Sequence, residues 1–141
     1  MNIIRFIIGG IVIFIVFLAL DFLIHSMLLG EVYASMAGIW RPDMMSKMWI
    51  MYAGSFIFSF LMMYVFIKGY EGRGIMEGVR FGIIIGIMTS GIGAFYQYAT
   101  YPLPFSLVLQ WFFYGLAEFI IAGICASLIY QPVEDLSDDY S

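Results

Sequence analysis

The chain has 141 residues, 63% of them hydrophobic and only 11% charged, with a mean hydropathy of +0.97. Soluble domains carry about 25% charged residues, so this composition excludes an ordinary water-soluble fold. The net charge of −4 comes from Glu134, Asp135, Asp138 and Asp139 near the C-terminus; elsewhere acids and bases balance, and no basic patch suits nucleic acid.

Four apolar runs predict an all-α, four-helix transmembrane bundle over residues 1–130, with helices at about 6–29, 48–67, 75–98 and 105–130. Each is long enough to cross a hydrocarbon core of about 30 Å at 1.5 Å per residue. The first run follows Arg5 like a signal peptide. No small-x-small site follows it, and Asp21 and Phe22 stand there instead, so it is expected to stay as an anchor and first helix. Residues 30–47 form the longest loop, with a short surface helix expected within 31–38 and an interfacial turn at Trp40-Arg41-Pro42. The second run lies between Trp49 and Lys68. The link from Lys68 to Gly74 is polar and glycine-rich, hence a turn.

The third run holds small residues every fourth position: Gly74, Gly78, Gly82, Gly86, Ser90 and Ala94. In water each interior glycine would cost about 1 kcal/mol relative to alanine. In lipid, such small-xxx-small ridges let helix backbones approach closely. A four-residue step drifts by about 40°, so the ridge is expected to wind round the helix and serve more than one neighbour as the central packing element. Glu77 and Arg80 are one turn apart and are expected to pair. Pro102 and Pro104 then break the chain before the fourth run. After Pro132, residues 131–141 read as an acidic, disordered cytoplasmic tail.

An even number of spans puts both termini on one side. That side carries Arg5, Lys68, Arg73 and Arg80; the other has only Arg41 and Lys47. The excess predicts cytoplasmic termini and a multi-pass protein of the cell (inner) membrane.

Polar residues inside the runs carry the functional expectation. Counting about 1.5 Å per residue from the cytoplasmic boundary puts Glu118 at roughly 18 Å and Asp21, Tyr52, Gln97 and Tyr114 at roughly 22 to 24 Å. His25 and Gln110 fall slightly further out. An acid at mid-helix costs about 2.5 to 3.5 kcal/mol on insertion scales and turns toward the bundle or a wet cavity. Asp21 and His25 are four apart, on one helix face. Trp111, Tyr114, Glu118, Ala122 and Cys125 form a stripe expected to face them. The plainer reading is a polar network that fixes helix register, with Tyr52, Gln97 and Tyr114 satisfying the acids. Against it stand a proton relay or small-ligand pocket built from the same residues, and a metal site using His25 with Asp21 or Glu118.

Met44, Met48 and Met51 follow i, i+4, i+7 spacing beside Met45, and thioethers prefer Cu(I). Methionine is equally an ordinary gap-filler, so copper or another metal is an alternative and no cofactor is predicted. No GxSxG, Walker or dinucleotide signature occurs. Cys125 is alone, so no intrachain disulfide forms, and it is expected to be an inert thiol.

The stretch Tyr101-Pro102-Leu103-Pro104-Phe105-Ser106, the following helix with Glu118, and the pattern Asp21-Phe22-Leu23-Ile24-His25 resemble small four-helix bacterial integral membrane proteins of unassigned activity. The resemblance spans most of the chain. It implies a bacterial-type inner membrane and no chemistry. The expected function is a non-enzymatic accessory or assembly subunit, docking on other membrane subunits or on itself within the bilayer. The alternative is a small carrier or ligand- or ion-binding protein using the Asp/His/Glu layer.

Overall fold

A computed structural model describes residues 1–131, so the acidic tail lies outside the described residues apart from Gln131. All regular structure among them is helical. Four helices are long and apolar enough to cross a membrane: α1 (Ile3–Leu28), α3 (Met44–Lys68), α4 (Ile75–Thr100) and α5 (Phe105–Ile129). A fifth, short helix, α2 (Gly30–Ser35), follows α1.

Local sequence explains the boundaries. Asn2 starts α1 by accepting a hydrogen bond from the Arg5 N–H at 3.1 Å. The first turn of α3, Met44–Lys47, is a tighter 3₁₀ turn. Gly72 and Gly74 take φ of +75° and +68°, a conformation that suits glycine, and so turn the chain into α4. Pro104 precedes α5 in extended conformation. Two helices change pitch within their length. α1 widens into a π segment at Phe22–Leu28, directly after Asp21, and α4 does so at Ile87–Gly91.

α5 is the element the others pack on. It lies along α4, also contacts α1, and touches α3; α1 pairs with α3. The fold is thus two helix pairs, α1/α3 and α4/α5, joined through α1 and α5. α3 and α4 are bridged by edge-on contact of Phe66 and Phe81, with ring centroids 5.3 Å apart. Their backbones otherwise stay separate.

The glycines of the small-residue stripe face a single neighbour. Gly78, Gly82 and Gly86 all face α5. A Cβ on Gly78 would collide with the Gly123 carbonyl, one on Gly123 with the Gly78 carbonyl, and one on Gly82 would come within 2.6 Å of the Ile120 Cα. Ser90 continues the contact by filling the space over Gly115. From Gly78 to Ser90 the stripe stays on one partner because α5 supplies small residues in matching register, so crossing helices follow the drift; Ala94, its last member, is buried in the cluster that also holds Ile24 and Leu29. Gly74 is not part of the stripe: it sits in the turn before α4, with open space beside it. A second close approach, between α1 and α3, uses Gly9 and Gly10, which lie under the Met63 side chain and the Phe60 ring.

Glu77 and Arg80 do not pair. The buried Glu77 carboxylate accepts backbone N–H bonds from Glu71 at 2.6 Å and Arg73 at 2.8 Å, which folds the α3–α4 loop over it. Arg80 instead approaches Glu71 at 3.7 Å, and Arg73 pairs with Glu71 at 2.8 Å. Two backbone donors hold a buried carboxylate more fully than one flexible guanidinium.

The core divides into two apolar clusters. One holds Ile13, Phe17, Met62, Met63, Phe66, Ala122 and Ala126. The other holds Ile24, Leu29, Ala94, Leu103, Leu107 and Val108. Asp21 and Glu118 fall between them along α1 and α5.

Candidate functional site

A cavity of about 340 Å³ opens between the two helix pairs. Every long helix contributes two lining residues: Phe17 and Asp21 from α1, Ser55 and Phe58 from α3, Thr89 and Ser90 from α4, Glu118 and Phe119 from α5. Its place follows from the packing. α1 and α5 touch through the apolar cluster of Ile13, Phe17, Ala122 and Ala126, while α3 and α4 make little backbone contact with one another among the described residues. The π segment of α4 carries Thr89 and Ser90, and that of α1 begins one residue after Asp21. An extra residue in a helical turn re-aims the side chains beside it, and such bulges frequently lie at functional sites.

The lining combines apolar and polar side chains. Phe17, Phe58 and Phe119 contact one another pairwise, with ring centroids 5.4 to 6.0 Å apart and planes inclined by 53 to 74°. The carboxylates of Asp21 and Glu118 and the hydroxyls of Ser55, Thr89 and Ser90 line the same cavity. The Thr89 hydroxyl donates to the Ile85 carbonyl at 2.7 Å, so its oxygen remains an acceptor toward the cavity. Glu118 is only 8% exposed. No side chain or backbone group among the described residues forms a hydrogen bond with it, and no side-chain polar atom is sealed without a partner, so its carboxyl reaches the cavity.

Asp21 belongs to a second constellation that leads out of the cavity. His25 Nε2 lies 3.7 Å from Asp21 Oδ1. His25 Nδ1 is 2.6 Å from the Tyr33 hydroxyl, which also accepts the Trp111 indole N–H at 2.7 Å. The indole only donates. Tyr33 therefore has its proton to give, and donation to Nδ1 leaves the Nε2–H of a neutral imidazole facing Asp21. Burial lifts the Tyr33 phenol above the usual tyrosine range; the Trp111 bond opposes this and the Asp21 charge adds to it. Hydrogen bonds thus run from Trp111 on α5 to Tyr33 to His25, and His25 stands 3.7 Å from Asp21 at the cavity wall, beyond hydrogen-bond distance. α2 positions Tyr33: Leu29 is fully buried ahead of the helix, and the Trp40 indole holds the Tyr33 carbonyl at 3.1 Å.

The other residues singled out in the sequence fall elsewhere. Tyr52 and Gln97 are exposed, outside the cavity lining, and make no side-chain hydrogen bond among the described residues; they do not satisfy the carboxylates. The end of α4 that carries Gln97 packs chiefly on α5, and Gln97 is on an exposed face of it. Tyr114 packs half-buried against the cluster around Leu107. Ala122 is fully buried and Cys125 partly so. Met44 and Met51 are exposed and Met48 is half-buried, while His25 has Asp21 and Tyr33 as its partners. Among the described residues no group of three or more His, Cys, Asp or Glu side chains is placed to hold a metal ion.

Sequence reasoning passed over Tyr33, Ser55, Thr89 and the three phenylalanines. Tyr33 had one signal: Trp111, an indole donor inside an apolar run, requires an acceptor. Comparison with known protein families, with curated proteins and with solved structures finds no match to this chain.

Proposed function

We propose that the protein is a multi-pass protein of the cell inner membrane, with both termini in the cytoplasm, that binds a small ligand in the cavity between its helix pairs and serves as a carrier or receptor for it. Four long apolar helices support the membrane reading, and the distribution of Arg and Lys among the loops supports the orientation. The observation that carries the ligand reading is Glu118. It is a nearly buried acid without a donor among the described residues, facing a cavity that Asp21 lines from the opposite helix pair. A carboxyl that served only to fix register would be satisfied by its neighbours; this one is left to whatever enters.

The test uses purified full-length protein in detergent and Asp21→Asn and Glu118→Gln, whose amides keep the shape of the acids. Thermal stability is followed with water-soluble organic cations, organic anions, neutral molecules and metal salts. A bound ligand stabilises by RT ln(1 + [L]/Kd), about 2.7 kcal/mol at a hundredfold excess over Kd. At least one class should raise the wild-type melting temperature and leave both variants unmoved. If no class shifts the wild type, the polar layer only holds register, and an accessory or assembly subunit is the reading that remains.

A further inference from the structure

The lining of the cavity specifies more than that something binds. Resting on the ligand-binding reading above, we infer that the occupant is a small monovalent organic ammonium, held between the carboxylates of Asp21 and Glu118 and the cup of Phe17, Phe58 and Phe119.

Charge comes first. Two acids line the cavity and no Lys or Arg does; the only basic group near it is His25, whose Nδ1 is taken up by Tyr33. The six Lys and Arg residues lie at the ends of the long helices or in the loops. In a low-dielectric surrounding an unpaired carboxylate is costly, so a cation gains where a neutral or anionic guest does not. The α1 and α5 acids both line the space, and among the described residues no hydrogen bond joins them, which leaves a charge to be placed beside them.

The aromatic wall then selects among cations. Three rings in mutual contact, inclined instead of stacked, line the same space, and a phenyl face carries negative potential that a cation can meet. Quaternary and alkylated ammonium groups are recognised by such aromatic cups together with acids. A bare metal ion gains less from phenyl faces and asks for a fuller oxygen shell. The volume of about 340 Å³ lies at the lower end of small-molecule sites, about 300 to 1,000 Å³, and far exceeds an inorganic ion. Ser55, Thr89 and Ser90 supply hydroxyl oxygens for N–H or hydroxyl groups on the guest.

Equilibrium binding of radiolabelled tetraethylammonium to the full-length protein in detergent tests this. Saturable binding should be displaced by choline and not by its uncharged isostere 3,3-dimethylbutan-1-ol. Glu118→Gln should weaken it at least tenfold. Phe58→Leu, which keeps apolar volume without a ring face, should weaken it about two- to thirtyfold. Glu31→Gln, outside the cavity, should leave it unchanged. Melting temperature without ligand verifies that each variant is folded; should Glu118→Gln fail to fold, Phe58→Leu and the neutral isostere decide. Absence of binding, equal displacement by the isostere, or indifference to Phe58→Leu overturns the ammonium assignment. A neutral, anionic or metal probe that stabilises wild type but not Glu118→Gln, with tetraethylammonium silent, also overturns it and leaves the cavity as a binding site. Silence of every probe class overturns both.

Discussion

Tyr33 joins the loop to the helices through two side-chain hydrogen bonds, one received from Trp111 and one exchanged with His25. Tyr33→Phe removes both and leaves a half-buried indole N–H without an acceptor, so it should destabilise the protein by about 1 to 3 kcal/mol. Trp111→Phe should cost less once Tyr33 is already Phe, and a double-mutant cycle by thermal unfolding in detergent measures that coupling. The same phenol gives a pH signature. Its folded-state value is raised, chiefly by burial, so its contribution is full below about pH 10 and is lost as the pH rises through the folded value. The melting temperature of wild type should therefore fall toward that of Tyr33→Phe above about pH 10; parallel curves would show that the phenol is not held there. Asp21, His25 and Glu118 were legible in the sequence because ionisable groups stand out in apolar runs. Tyr33 was not, because its position depends on how the 30–47 loop folds back, and no local pattern encodes that.

At the scale of elements, the α4–α5 contact sets the frame for the cavity, since α4 carries Thr89 and Ser90 and α5 carries Glu118. Gly82→Leu would drive a side chain into the α5 backbone at Phe119 and Ile120, at a cost of about 3 kcal/mol or more. Gly54→Leu on α3 meets open space and should shift stability by no more than about 0.5 kcal/mol. Equal melting temperatures for the two variants would remove the close approach from the account. The four-residue spacing made the small residues legible, yet it named neither their partner nor their limits. Gly115 and Gly123 on α5 hold half of the contact, and they are spaced by eight residues with bulky neighbours, a sparser signal than the α4 stripe. The π segments of α1 and α4 have no sequence signature, because one extra residue in a turn leaves composition and hydropathy unchanged.

For the whole molecule, apolar length alone made four long helices legible, while their grouping into two pairs rested on side-chain fit that periodicity does not report. The proposed orientation has its own check. A reporter active only in the cytoplasm should work when fused after Ser141 and fail when inserted beside Asp43; the reverse pattern would invert the topology. On the proposed reading the cavity between the helix pairs is open to water-soluble molecules while the outer faces of the long helices meet lipid, and cysteine labelling in intact membranes tests this most directly. In a Cys125→Ala background, Ser55→Cys places a thiol in the cavity lining, and Ile57→Cys places one two residues along α3 on an exposed apolar position. A hydrophilic maleimide should modify Ser55→Cys and spare Ile57→Cys, with both modified after denaturation in detergent. Modification of both in intact membranes would contradict a lipid-facing surface on α3, and modification of neither would contradict a cavity open to water.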